Sequence, residues 1–200
     1  MLIAKIVSGG QTGVDRGAIE AALELGFPYG GLIPKGRLAE DGAVPDKFDR
    51  MEVAPRKDYL FRTEWNVTHS DATLIIARKV ARAGAFHEEL TGGTLRTERF
   101  AINHAKPRLA LFEQNVEAVL AWLSCVAVQL QREEIVLNVA GPRESKCPGI
   151  EQATCAFIKR LIAPTLSTKI IGDVLRESRG MSVAIRRRIV YTVDWSKEKD

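Results

Sequence analysis

Residues 2–26, LIAKIVSGGQTGVDRGAIEAALELG, run from an apolar strand pattern through a glycine-rich turn into a helix pattern, and this succession decides the fold. Leu2–Val7 is apolar apart from Lys5, as a strand covered on both faces should be. From Val14 the apolar residues Ala18, Ala21, Ala22 and Leu25 follow at i+4, i+7, i+8 and i+11, one stripe of a helix that packs on a sheet. Gly26 and Pro28 stop it. The turn holds three glycines within five residues, Gly9, Gly10 and Gly13, where an ordinary turn needs one.

The same alternation continues along the chain. Strands are expected at Gly31–Ile33, Ala72–Ala77, Arg108–Phe112 and Ile135–Ala140, and helices at 58–69, 94–104, 114–131 and 151–162, the last ended by Pro164. ATLIIA (72–77) and IVLNVA (135–140) are apolar almost throughout, which suits a buried parallel sheet. The expectation is an α/β fold, a doubly wound, mainly parallel three-layer sheet over residues 1–163, followed by a C-terminal helix-plus-strand extension over 164–200. In that extension Met181, Val183, Ile185, Ile189, Tyr191, Val193 and Trp195 fall on odd positions and Arg186, Arg188 and Asp194 on even ones, a long strand or hairpin with a cationic face.

Composition narrows the function. The net charge of +4 resides in the tail: residues 159–200 carry ten Lys or Arg against five Asp or Glu, so the preceding 158 residues sum to −1. That distribution disfavours nucleic acid as a partner. No apolar run approaches the length of a membrane span, and the N-terminus does not read as a signal peptide, so a cytoplasmic protein is expected. Cys125, Cys147 and Cys155 are too few and too irregular for a zinc site, and His87–Glu88–Glu89 lacks the second histidine of a zinc helix, so no metal site is expected.

Ligands of doubly wound sheets bind beyond the carboxyl ends of the strands, and four such loops are rich in glycine or charge. They are SGGQTGVD after the first strand, PKGRLAEDG after the second, TGGT (91–94) ahead of a helix, and GPRESKCPG after the last strand. Freed amides and helix N-termini favour an anion. The first loop lacks the Lys-Ser/Thr ending of a P-loop and the G-x-G-x-x-G spacing of a dinucleotide fold, which disfavours a standard NTPase or dehydrogenase.

SGGQTGVDRGAIEAALELG, GGLIPKGRLAEDG, YLFRTEWNVTHSDATLII, TGGT and LNVAGPRESKCPGI together resemble the putative molybdenum carrier family, whose best-known relatives are molybdenum cofactor carrier proteins. The resemblance implies a Rossmann-like fold of the SLOG superfamily, related to lysine-decarboxylase-like phosphoribohydrolases. Its implied cargo is a phosphorylated pterin, molybdenum cofactor (molybdopterin), or a nucleotide-like anion. It places Gly9, Gly10, Gln11, Thr12, Gly13, Asp15 and Arg16 on a first anion-binding motif and Gly92, Gly93 and Thr94 on a second. Lys35, Gly36 and Arg37 fall on the loop after the second strand, and Arg62, Glu64 and Asn66 near the same rim. Arg143, Ser145 and Lys146 complete the expected set. A homo-oligomer, dimer or tetramer, is also expected, with the tail as one candidate interface.

Nothing in the first loop supplies a nucleophile with a base beside it, so a binding or carrier protein leads over an enzyme. The alternatives are an N-glycosidase of the phosphoribohydrolase type and a non-catalytic sensor of a nucleotide-derived signal. For the glycosidase, Glu98 and Arg143 are the catalytic candidates, a carboxylate for the ribose and a cation for the phosphate. Glu98 stands four residues after Thr94, however, where the phosphoribohydrolase motif has three, and a helix turns about 100° per residue.

Overall fold

The computed structural model describes residues 2–77, 79–82, 85–88 and 90–177, and side chains over 3–77 and 90–167. Its elements, in chain order, are β1 (Leu2–Val7), α1 (Val14–Glu24), β2 (Tyr29–Ile33), β3 (Leu38–Ala39), β4 (Gly42–Ala43), β5 (Met51–Val53), α2 (Tyr59–Thr68) and β6 (Ala72–Ile76). There follow β7 (Lys79–Arg82), β8 (Ala85–Glu88), α3 (Gly92–Asn103), β9 (Arg108–Leu111), α4 (Val116–Leu130), β10 (Glu134–Ala140), a 3-10 turn over Glu144–Lys146, and α5 (Ile150–Glu177).

Six strands form one sheet in the order β5-β2-β1-β10-β6-β9, with every pair parallel. The fold is the doubly wound α/β sandwich that the alternation predicts. The last strand, β10, lies between β1 and β6, so the sheet reads outward from β10 in two wings. Central strands are buried on both faces: Ile3, Ile6, Leu74, Ile75, Ile135 and Leu137 exclude solvent completely. Parallel strands require right-handed crossovers, which put α1, α4 and the start of α5 on one face and α2 and α3 on the other. Gly17 of α1 abuts the Glu151 carbonyl and Thr154 of α5, and α2 packs on α3, as this division demands. The helix after β10 therefore leaves toward one face and the helix after β6 toward the other, opening a crevice at their carboxyl ends.

Four features depart from the expected pattern. Within PKGRLAEDG, expected as a loop, β3 and β4 pair as a short antiparallel hairpin. The short strand β5 adds to the β2 edge. The residues before TGGT, for which no strand is expected, form the antiparallel hairpin β7–β8. Pro164 does not end the last helix, which runs to Glu177 with the proline inside it; a proline forfeits one backbone bond and strains the turn before it, a cost that a 28-residue helix has absorbed.

Two compact units are distinguished, 1–162 and 163–200. Of the second, residues 163–177 are described, as helix; the strand expected over Met181–Trp195 lies outside the described residues. No helix among the described residues is long and apolar enough to cross a membrane.

Candidate functional site

The first glycine loop is closed by the protein's own atoms. A β-carbon on Gly9 would stand 1.6 Å from Arg62 Nη1 and 2.8 Å from Asp15 Oδ2. On Gly13, at φ +81°, it would meet the backbone of the loop after β10, 2.5 Å from the Pro142 carbonyl oxygen and 2.6 Å from the Glu144 nitrogen. On Gly10, at φ +71°, it would strike Ile33 at 2.8 Å. Most loop amides are satisfied internally too. Thr12 N–H donates to Gln11 Oε1 at 3.0 Å, Gly13 N–H to Glu151 Oε2 at 2.9 Å, and Val14 N–H to the Pro142 carbonyl at 3.2 Å.

Beside this loop a cleft of about 470 Å³ opens between α2, the N-terminus of α3 and the residues after β10. Its charges are uneven. Among the described residues, Arg62, Arg96, Arg143 and Lys146 line it against a single carboxylate, Asp15. Arg62 Nη1 donates to Asp15 Oδ2 at 3.1 Å, with both side chains nearly buried. Burial pushes the Asp15 carboxyl above its usual range, against the opposing pull of the Arg62 guanidinium. At the mouth, the Arg143 guanidinium stands 5.7 Å from the centroid of the half-exposed Tyr59 ring, a cation–π arrangement.

The α3 terminus differs from its counterparts. Asp58 caps α2 through Leu60 N–H, Asn115 caps α4 through Ala118 N–H, and Glu144 takes Gly149 N–H and Glu151 N–H at the start of α5. Glu151 and the Pro142 carbonyl serve α1. Thr91 at the N-cap of α3 makes no such bond, and the N–H groups of Gly92, Gly93 and Thr94 have no protein partner among the described residues. A β-carbon on Gly92 or Gly93 would meet nothing within 4 Å.

Behind the first loop lies a second hollow, of about 660 Å³ and opposite sign. Glu20, Glu24, Glu40, Asp41, Glu144 and Glu151 line it, with Arg16 as its cation. Its carboxylates act as fasteners. Glu40 accepts from the Thr12 hydroxyl and from the Ser145 hydroxyl at 2.5 Å, and Asp41 takes two bonds from Arg16 at 2.5 and 3.0 Å. Ser145 and Thr12 hold the Glu40 carboxyl below its usual range, and Arg16 does the same to Asp41.

A family profile described as circularly permutated YpsA SLOG matches residues 6–162. The chain belongs to this family. The place of β10 at the centre of the SLOG sheet, last in the chain yet between β1 and β6, is the order that a permuted connection produces. A crystal structure of a "Putative molybdenum carrier protein" from Syntrophus aciditrophicus SB is similar to this SLOG protein at 40% identity, covering 80% of this chain and 95% of that one with a TM-score of 0.67. Comparison with functionally curated proteins finds none that matches.

The expected site residues of the SLOG chain divide among three places. Gly9, Gln11, Asp15, Arg62, Asn66, Gly92, Gly93, Thr94, Arg143 and Lys146 line the cleft. Thr12, Arg16 and Ser145 line the acidic hollow instead. Gly10, Gly13, Lys35, Gly36, Arg37, Glu64 and Glu98 line neither. Helical geometry explains the split in RTEWN: Arg62 and Asn66 share a face, whereas Glu64 is turned about 200° from Arg62 and meets His104 Nε2 at 2.7 Å. Glu98 stands 3.7 Å from Arg108 Nε and does not line the cleft. Arg37 donates to the Val44 and Pro45 carbonyls and so braces the loop it sits on. Asn66 clamps β2 to α2, accepting from Leu32 N–H at 2.7 Å and donating to the Leu32 carbonyl at 3.1 Å. Sequence reasoning missed Tyr59, Arg96 and Asn138; an aromatic at the first position of α2, one turn before Thr63 and Arg62 on the cleft side, was the available signal for Tyr59.

Proposed function

We propose that this SLOG protein is a binding protein that holds a phosphorylated, ring-bearing anion in the cleft between α2, α3 and the loop after β10. The observation that carries the reading is the uncapped terminus of α3. Four other helix N-termini are satisfied by protein groups, whereas the amides of Gly92, Gly93 and Thr94, beside Arg143 and Lys146, have no partner among the described residues. Amides at a helix start, with the positive end of the dipole behind them, bind phosphate. Tyr59 offers a face for a planar ring near the same cations. The acidic hollow, with six carboxylates, repels an anion, which leaves the cleft as its place.

A pterin phosphate such as the molybdenum cofactor satisfies these demands, and the name of the Syntrophus relative supports that cargo. A nucleotide-like anion presents the same chemistry. The glycosidase alternative has less support, since its candidate carboxylate Glu98 pairs with Arg108 and does not line the cleft. Gly9, Gln11, Gly92, Gly93, Thr94, Arg143 and Lys146 are the residues we assign to the ligand's surroundings.

The protein as purified, oxidised and analysed for pterin fluorescence and molybdenum, is expected to yield both, and nucleoside monophosphates are expected to remain intact on incubation. Release of free base would overturn the carrier reading. Tight nucleotide binding without pterin or metal would assign the cleft to a sensor. We also propose a homo-oligomer: truncation before Ile170 is expected to lower the assembly mass if the tail forms the interface, and a monomer before and after truncation would remove the idea.

A further inference from the structure

The first glycine loop has the parts of an anion site, and one of the protein's own carboxylates occupies it. The loop runs into the start of α1, where first-turn N–H groups and the helix dipole favour negative charge. Arg62 of α2 lies across it as the cation. The charge held there is Asp15, in the first turn of α1, which accepts from Arg62 Nη1 at 3.1 Å. Only 7% of the Asp15 side chain is exposed. Gly9 makes the arrangement possible, because its missing β-carbon leaves room for the Arg62 guanidinium over the loop. At the other end of the cleft, the start of α3 presents glycines, amides and cations, with no carboxylate and no partner for those amides among the described residues.

We propose that Asp15 is a resident anion that sets specificity: it fills the anion position of the first glycine loop and directs the ligand's phosphoryl group to the start of α3. The proposal rests on the reading of the cleft as an anion site. Two negative groups sharing one low-dielectric cleft repel each other, so the end of the ligand that approaches Asp15 must be uncharged. Gln11 and Arg62 line that end, and their Nε2 and Nε are buried with no partner among the described residues. A ring carbonyl or ring nitrogen accepts from such donors without bringing a second charge. The ligand class is thus a phosphomonoester whose far end is a neutral heterocycle, and Asp15→Asn opens a second anion position at Gly9–Gln11.

Sodium sulfate, whose charge is fixed across neutral pH, is the probe, read by amide shifts of the isotopically labelled full-length protein and by its melting temperature. In the wild type, saturable shifts are expected at Gly92, Gly93 and Thr94 and none at Gly9–Gln11. In Asp15→Asn both sets are expected to shift, with at least twice the wild-type rise in melting temperature at saturation. Sulfate shifts at Gly9–Gln11 of the wild type would overturn the proposal even if the variant fails to fold, and so would a folded variant with an unchanged response. Shifts at neither loop in either protein would instead sink the anion-site reading on which this one stands.

Discussion

The Arg62 guanidinium occupies the space where any residue larger than glycine at position 9 would carry its β-carbon, 1.6 Å from the ideal position. The glycine thus serves an ion pair within the protein. Gly9→Ala is expected to push Arg62 off Asp15 and leave a buried carboxylate unpaired, at a cost of about 2 kcal/mol. Urea unfolding at pH 7 measures it; a change below about 0.5 kcal/mol would show that Arg62 finds another route to Asp15.

Gly13→Ala is expected to cost more, about 3 kcal/mol. The obstacles here are backbone atoms of Pro142 and Glu144 and not the end of a flexible side chain, and the backbone at φ +81° disfavours a side chain as well. The same unfolding experiment ranks the two; Gly13→Ala milder than Gly9→Ala would contradict the packing described.

The acidic hollow gives a pH dependence of definite sign. Glu40 and Asp41 titrate below their ordinary values of 4.5 and 3.8 because hydroxyls and Arg16 stabilise their charged forms. Their contribution is therefore present above those values and is lost as the pH falls through the depressed ones. Asp15 runs the other way: burial holds it above 3.8, so its contribution is complete below that value and declines as the pH rises through the raised one. Glu40→Gln is expected to flatten the loss of urea midpoint on acidification below about pH 4.5, and an unaltered acid limb would place that loss elsewhere.

Asn66→Ala removes both side-chain bonds to Leu32 and strands a buried N–H and C=O, at an expected cost of about 2 kcal/mol. Thermal melting checks it, and an undiminished midpoint would mean that β2 does not depend on the clamp.

Much of this was legible in the sequence, because buried parallel strands and amphipathic helices write their periods locally. LIAKIV, ATLIIA and IVLNVA marked the centre of the sheet, and the glycines with RTEWN and GPRESK marked the loops at its carboxyl end. What local pattern could not supply was which way each loop faces. Gly13 N–H is taken by Glu151, 138 residues away, and Thr12 by Glu40, so half of the first motif fastens the fold instead of facing the cleft. Glu64 and Glu98 show the same limit, since a helical residue's neighbour on another element is a tertiary fact. The strand β5 was too short and too exposed to carry a period, and Pro164 is a breaker that this helix overrides.

The central claim is that the cleft binds its ligand's anionic group on the open amides of α3, and Gly93→Val tests it most directly. A β-carbon there meets no protein atom within 4 Å, and Gly93 has no positive φ, so the fold tolerates the change while the side chain intrudes on the amides. Calorimetric titration with sulfate is expected to show affinity weakened more than tenfold in Gly93→Val, with circular dichroism unchanged. Sulfate bound as tightly by the folded variant as by the wild type would contradict the account.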